Sequence, residues 1–355
     1  MKSAPRLKDV AAAAGVSVMT VSLALRNHTS LPEATRTRVQ KIAAKIGYRP
    51  DPNISQLMER VRAKKPSRTG TVLAYLTAHE QRFSWKNSPT QRDYHDGAAR
   101  RAHDLGYQLE DFWLREPNMT DARLSRILRN RGIEGVIVAP LQHPGELFAD
   151  FEWEHFSVVE LGYSQRNLHH HRCCNQQFQS MMLLLDRLLQ AGYQRIGLAM
   201  GPGEDERANH HWRAAYLTTL SLLPPKQTSN LPMLLAEDTT WTRDNFASWL
   251  RNTKPDVVVT VGTDVQTWLK ELKLRTPQDI ALANVDLNET MPHVTGINQN
   301  ALRVGAASVD LLLSLMRTGE RGLPATPRTL MVDGVFVQGR TTKASLKGGR
   351  RTRPV

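Results

Sequence analysis

The most reactive-looking stretch of this chain is 169-HHHRCC-174, with a second histidine pair at 210-HH-211. Imidazole and thiolate are zinc ligands, but a zinc site needs them on one face, as C-x₂-C or H-x₃-H spacing provides. Neighbouring residues of an extended segment point to opposite faces, so a surface or structural cluster is expected there and no metal. The glycines of 201-GPGEDE-206 lack the Lys-Ser/Thr that a phosphate loop requires. Neither G-x-S-x-G nor HExxH occurs. The sequence therefore reads as a binding protein and not an enzyme, with no catalytic residues and no cofactor.

Charge is the feature left to explain. The chain has 355 residues and a formal net charge of +13. Residues 1–68 hold 14 Lys/Arg against 4 Asp/Glu, and residues 341–355 hold 5 against none. The 272 residues between them are nearly neutral, with 28 basic and 30 acidic side chains. A basic head on a neutral body suggests a polyanion-binding module joined to something else, and phosphates are the expected contacts. No apolar run approaches the roughly 18 residues of a membrane span, and MKSAPRLKDV has no apolar segment typical of a signal peptide. The two cysteines, Cys173 and Cys174, are adjacent and make no disulfide framework, so a reducing cytoplasm is expected.

The elements that would place those charges can be read in the head. Leu7–Ala14 forms a first short helix with Asp9 in its first turn. Gly15 breaks it, and Ser17 caps a second helix over Val18–Leu25. A third begins at 30-SLPE-33, with Ser30 and Glu33 at capping-box spacing, and runs to Ile46 before Gly47. Alanines at 11–14 allow close helix approach, and Val10, Val16, Val21 and Leu25 supply a small core. Three helices with a tight glycine turn make a helix-turn-helix.

The string DVA-x-x-AGVS-x-x-TVS, then TR-x-x-V and GY-x-P, spans Asp9–Pro50. It resembles the head of the lactose-repressor (LacI/GalR) family of bacterial transcription regulators. The resemblance implies that the second helix, from Ser17, lies in the major groove. Val18, Met19 and Leu23 then fall where base edges are read, and Thr20, Ser22, Asn27, Thr35 and Arg36 where phosphates are held; Arg26 is among the charges around the helices, where phosphates are expected. Leu23 stands where many members have arginine. The three apolar readers donate no hydrogen bonds, so readout leans on thymine methyls and DNA shape. In 50-PDPNISQLMERVRAKKPSRTG-70 the resemblance implies a hinge helix whose Leu57 wedges into the minor groove.

From Thr71 onward, apolar strand-like segments (71–77, 135–141, 157–163, 195–201, 231–237, 256–262, 279–286) alternate with amphipathic helices (93–107, 178–193, 301–319). Such alternation predicts a doubly wound parallel α/β architecture, and its length predicts two lobes with a ligand between them. The resemblance extends here through LGY at 105–107, 134-EGVIVAP-140, 192-GYQRIGLAMGP-202, 279-DIALANVD-286 and 295-TGINQN-300. It implies a two-lobed periplasmic-binding-protein-like core. The expected division is a head at 1–50, a hinge at 51–69, a core at 70–340 and a basic disordered tail at 341–355. Lobe one takes 70–162 and about 291–324, and lobe two takes 163–290 and about 325–340. The resemblance implies that Asp264, Asp286, Trp241 and Gln299 fall at effector-binding positions, that Gln176 stands where an aspartate is common, and that Trp212 stands where an arginine usually clamps the effector. Without that guanidinium an anionic effector is disfavoured, and a neutral carbohydrate is expected. The whole reads as a homodimeric regulator, a repressor in the family's sense, of a near-palindromic double-stranded DNA operator. The alternative is a solute-binding protein of the same core fold.

Overall fold

The computed structural model describes residues 5–25, 31–48, 71–141, 148, 150–165, 169–223, 233–235 and 240–344. The hinge segment at 51–69, with Leu57, and the residues Arg26, Asn27 and Ser30 lie outside these.

Among the described residues the head is three helices. In α1 (Leu7–Ala14) the Asp9 carboxylate accepts the Arg6 backbone N–H at 2.7 Å, closing the first turn. Gly15 ends the helix at φ 64, a left-handed conformation that only glycine adopts without strain. Ser17 Oγ accepts the Thr20 N–H at 3.0 Å and so caps α2 (Val18–Leu25), which meets α1 at a bend of 101°. α3 (Glu33–Lys45) opens differently from the expected box. Its N-cap is Pro32, which offers no side-chain cap, and the Pro32 carbonyl accepts the Thr35 and Arg36 N–H groups at 3.0 and 3.1 Å. The core is Val10, Ala11, Ala14, Val21, Ala24, Val39 and Ala43, with Val16 and Leu25 packed at its margin. Gln40 of α3 donates to the Ala24 carbonyl at 2.9 Å and ties the last turn of α2.

The body holds two six-stranded sheets. The first contains β1 (Thr71–Thr77), β2 (Tyr107–Trp113), β3 (Gly135–Val138), β4 (Ser157–Leu161), β5 (His171–Asn175) and β11 (Thr329–Val332), in the order β11-β5-β4-β3-β1-β2, all parallel. Its central strands are continuous apolar runs because both faces are covered. Leu73, Tyr75 and Ile137 face α4 (Pro89–Asp104) and the late helix α11 (Ala301–Thr318). Ala74, Leu76 and Val136 face α5 (Asp121–Asn130) and an aromatic group of Phe148, Phe151, Trp153 and Phe156. α4 and α11 touch backbone to backbone: a Cβ on Gly97 would come within 2.0 Å of the Leu302 carbonyl oxygen, and one on Gly305 within 2.0 Å of that of Tyr94.

The second sheet contains β6 (Ile196–Met200), β7 (Met233–Leu235), β8 (Val257–Thr260), β9 (Ala281–Asn284), β10 (Thr295–Asn298) and β12 (Val335–Val337), in the order β12-β10-β9-β8-β6-β7. Among the described strands only β12 runs antiparallel to its neighbour. α6 (Gln177–Gln190) and α8 (His211–Ser221) cover one face, while α9 (Arg243–Thr253) and α10 (Asp264–Glu271) cover the other. The short α7 (Glu204–Arg207) lies between β6 and α8.

Sheet membership moves the expected lobe boundaries. β5 completes the first sheet, so the chain leaves lobe one after Asn175 and not at 162. It returns after β10, near 299, and crosses again between β11 and β12. The shift arises because β5 and β10 each finish pairing in one sheet before the following helix packs on the other lobe. The tail also begins later than expected. Thr341 Oγ1 donates to the Leu282 carbonyl at 2.6 Å, and the Lys343 N–H donates to the Tyr193 hydroxyl at 2.8 Å. Residues 341–343 are therefore stitched into lobe two, and 345–355 lie outside the described residues.

Candidate DNA interface and effector cleft

The reading face of the head is α2. Val18 and Met19 are 47% and 73% exposed, although a three-helix domain has few apolar side chains to spare for its core. The inward positions are already taken by Val21 and Ala24. Leu23 is half-buried and is no part of the core cluster. Ser17 is exposed, and its hydroxyl contacts that of Thr20 at 2.9 Å. Ser22, Thr35 and Arg36 are partly exposed on the same domain. α2 thus presents an apolar ridge with hydroxyls beside it.

The second site lies between the lobes, outside the C-terminal ends of the strands, where open α/β sheets bind ligands. Three second-lobe carboxylates gather there. Glu204 follows β6, and its Oε2 accepts the Gly201 N–H at 2.8 Å. Its other oxygen lies against Gly262, after β8, at 3.3 Å from where a Cβ would stand. Asp264 opens α10 and accepts the Trp241 indole N–H at 2.8 Å. Trp241 packs on Trp268 with ring centroids 4.9 Å apart. Asp286 follows β9 and accepts the Thr90 hydroxyl of α4, from the other lobe, at 3.0 Å.

Burial outweighs the nearby Arg207 at two of these carboxylates. Burial pushes the Glu204 carboxyl up to about 7, aided by Asp264 and Asp286. Burial also raises Asp286 to about 6, and Asp93 lies above its ordinary range through burial and the nearby Glu289. A cavity of about 270 Å³ sits at this junction, lined by Thr90, Asp93, Asp286, Glu289, Asn298 and Gln299 among others. Arg92 pairs with Glu289 across the lobes.

The remaining expected effector residues are placed less directly. Gln176 is half-buried where β5 passes into α6, with its N–H on the Val332 carbonyl. Gln299 borders the cavity, but its side-chain amide donates to the Val285 carbonyl at 2.8 Å. Trp212 lies deeper. It is 6% exposed within the second-lobe core beside Met200 and Tyr216, and its indole N–H has no hydrogen-bond partner among the described residues. Sequence reasoning misses Thr90 and Glu204. The Ser88-Pro89 start of α4 signals a helix end near Thr90, and 201-GPGEDE-206 carries a carboxylate that a search for phosphate loops passes over.

The histidine–cysteine run forms β5. Cys173 packs toward α11, with Sγ 3.4 Å from the Val304 carbonyl, while Cys174 meets the Tyr163 hydroxyl at 3.2 Å. The two thiols serve different environments, as strand alternation requires.

Residues 6–51 match the family of bacterial regulatory proteins described as the lacI family, and residues 185–342 match a periplasmic binding protein-like domain. The head belongs to the lacI family. Among curated proteins, the chain is 39% identical to the sucrose operon repressor of Escherichia coli over 113 residues, which is 28% of this chain and 33% of that protein. It is 49% identical to the transcriptional repressor CytR of Escherichia coli over 51 residues, 14% of this chain and 15% of that one. The chain therefore matches about a third or less of these relatives' length. Among solved structures, a regulator CelR–cellobiose complex aligns over 95% of this chain and 99% of its own, with a TM-score of 0.57 and 19% identity. The lac repressor dimer bound to operator and the anti-inducer ONPF aligns over 96% and 100%, with a TM-score of 0.54 and 18% identity. At those identities the likeness concerns the fold: a lacI-type head followed by a two-sheet core.

Proposed function

We propose that this protein is a sequence-specific transcription repressor whose operator affinity is set by a carbohydrate held between the core lobes. The observation that carries the reading is α2 of the lacI-family head, capped by Ser17 and presenting exposed Val18 and Met19. Exposed apolar side chains on a capped helix, in a domain rich in Lys and Arg, suit thymine methyl contacts within a phosphate-anchored interface. Val18, Met19 and Leu23 read bases, while Ser17, Thr20, Ser22, Arg26, Asn27, Thr35 and Arg36 hold the backbone. Leu57 acts as the minor-groove wedge. The protein works as a cytoplasmic homodimer on a near-palindromic site.

The effector reading rests on the cleft: carboxylate acceptors at Asp264 and Asp286, an aromatic face at Trp241, and a cavity across the lobes. Hydroxyl-rich ligands suit such a set of acceptors beside an aromatic ring. Deleting residues 1–68 tests the regulator reading. Full-length protein should select a near-palindromic sequence from a random duplex pool, with affinity falling steeply as salt rises. If the deleted protein retains that affinity, the reading fails.

A further inference from the structure

The outward face of α2 carries one kind of chemistry. Val18 and Met19 are exposed, and Leu23 is half-buried outside the core cluster. Val and Leu side chains neither donate nor accept a hydrogen bond, and the Met19 thioether is only a weak acceptor. The hydroxyls at the start of the helix are engaged with each other: Ser17 Oγ accepts the Thr20 N–H at 3.0 Å and lies 2.9 Å from Thr20 Oγ1. The Gln40 amide is turned to the Ala24 carbonyl, to which it donates at 2.9 Å. The domain also leaves Arg6, Lys8, Arg38, Lys41 and Lys45 exposed, so a polyanion is the surface its charge fits.

We infer that α2 detects C5-methyl groups in the major groove, those of thymine and of 5-methylcytosine alike, so that cytosine methylation in a half-site raises operator affinity. The inference rests on the regulator reading and deepens it by naming the group that is read. In the major groove thymine shows a C5 methyl beside its O4 acceptor, whereas cytosine shows an N4 amino donor and no methyl. Methylation of cytosine at C5 puts a methyl where thymine has one. What then still separates the two bases is a set of hydrogen-bonding groups, at C4 and on the partner purine. An arginine or a glutamine would read those groups, and Val18 and Leu23 have nothing that can. Burial of a methyl against an apolar side chain is therefore the discrimination this ridge makes. A change from thymine to deoxyuridine, or from 5-methylcytosine to cytosine, removes that methyl while leaving the base pairing intact.

The test uses full-length protein and the operator it selects from a random duplex pool. Each half-site thymine is replaced in turn by deoxyuridine. A thymine whose replacement weakens binding is then replaced by cytosine and by 5-methylcytosine, each opposite guanine. Fluorescence anisotropy at fixed salt gives the affinities. Loss of the methyl from one half-site should weaken binding about fourfold, for thymine to deoxyuridine and for 5-methylcytosine to cytosine alike. Loss from both half-sites should weaken it about fifteenfold. Val18→Ala and Met19→Ala, both at exposed positions outside the core cluster, should each bring the ratio toward one at the base that the side chain meets. Loss of a phosphate contact would leave those ratios unchanged. An operator that binds equally well with deoxyuridine at every position overturns the inference and leaves the regulator reading standing. Equal affinity for cytosine and 5-methylcytosine also overturns it, because the base is then read through its hydrogen-bonding groups. A protein that selects no sequence from the pool removes the regulator reading, and the inference with it.

Discussion

Met19 is the residue at which stability and function separate most cleanly. It is 73% exposed and outside the head's core cluster, so Met19→Ala should change thermal stability by less than about 0.5 kcal/mol. The same change should cost about 1–3 kcal/mol of specific DNA affinity if the side chain meets a base. Melting temperature and fluorescence anisotropy on the selected operator give the two numbers. Glu204 offers a second separation, through pH. Its folded carboxyl lies at about 7 against an ordinary value of 4.5, and that of Asp286 at about 6 against 3.8. Over the interval between those values the folded state holds protons that the unfolded chain has released. Stability from these groups is therefore greatest below their ordinary values and is lost as pH rises through about 6 and about 7. Glu204→Gln keeps an acceptor for the Gly201 N–H without burying a charge. It should flatten that slope and gain roughly 1–2 kcal/mol at about pH 8, seen as a raised melting temperature. Glu160, pushed up to about 8, acts in the same direction, and His170, lowered to about 4, in the opposite one. The difference between parent and variant isolates Glu204 from both.

Among elements, α4 and α11 form the closest contact in lobe one. A Cβ at Gly305 would meet the Tyr94 carbonyl at 2.0 Å, against backbone that has no rotamer to yield. Gly305→Ala should thus separate the helices and cost about 1–3 kcal/mol or more, read from a denaturant midpoint. The same packing explains which elements can be read from sequence. β1, β3, β4, β6, β8 and β9 are plain as apolar runs because helices cover both faces of each sheet. β2 (YQLEDFW) and β5 (HRCCN) lack that signature. β2 is an edge strand left half-exposed, and β5 is buried but polar, with Arg172 opposite Glu160 of β4 in an ion pair and stacked on Tyr163. α1 and α2 are legible to the residue, since Gly15 and Ser17 mark their ends locally. The start of α3 is not: it falls at Glu33 behind Pro32, which has no side-chain oxygen to mark an N-cap. In the cleft, Asp264, Asp286 and Trp241 can be placed from motif positions, whereas Thr90 meets Asp286 across 196 residues of chain. No local pattern encodes such a contact.

Over the described residues, the lobes are joined by three crossings, after β5, after β10 and between β11 and β12, and by side-chain contacts that include Thr90 to Asp286, Arg92 to Glu289 and the Tyr163 ring on that of His211. β1, whose first residue is Thr71, ties lobe one to the segment leading from the head. A ligand that takes Asp286 must displace Thr90, so occupancy of the cleft and the contact between lobes exclude each other at that atom. This supplies the differential interaction that a coupled equilibrium needs. The coupling between sugar and operator should amount to about 1–3 kcal/mol, a change of roughly 5- to 150-fold in operator affinity. Linkage then requires saturating operator to shift sugar affinity by the same factor. Thr90→Val removes the competing hydroxyl, so it should tighten sugar binding while shrinking the coupling. Paired titrations, sugar with and without operator and operator with and without sugar, measure both ratios in parent and variant. A sugar that binds tightly yet leaves operator affinity unchanged in the parent protein would refute the proposed control, because the cleft would then be occupied without consequence for the head.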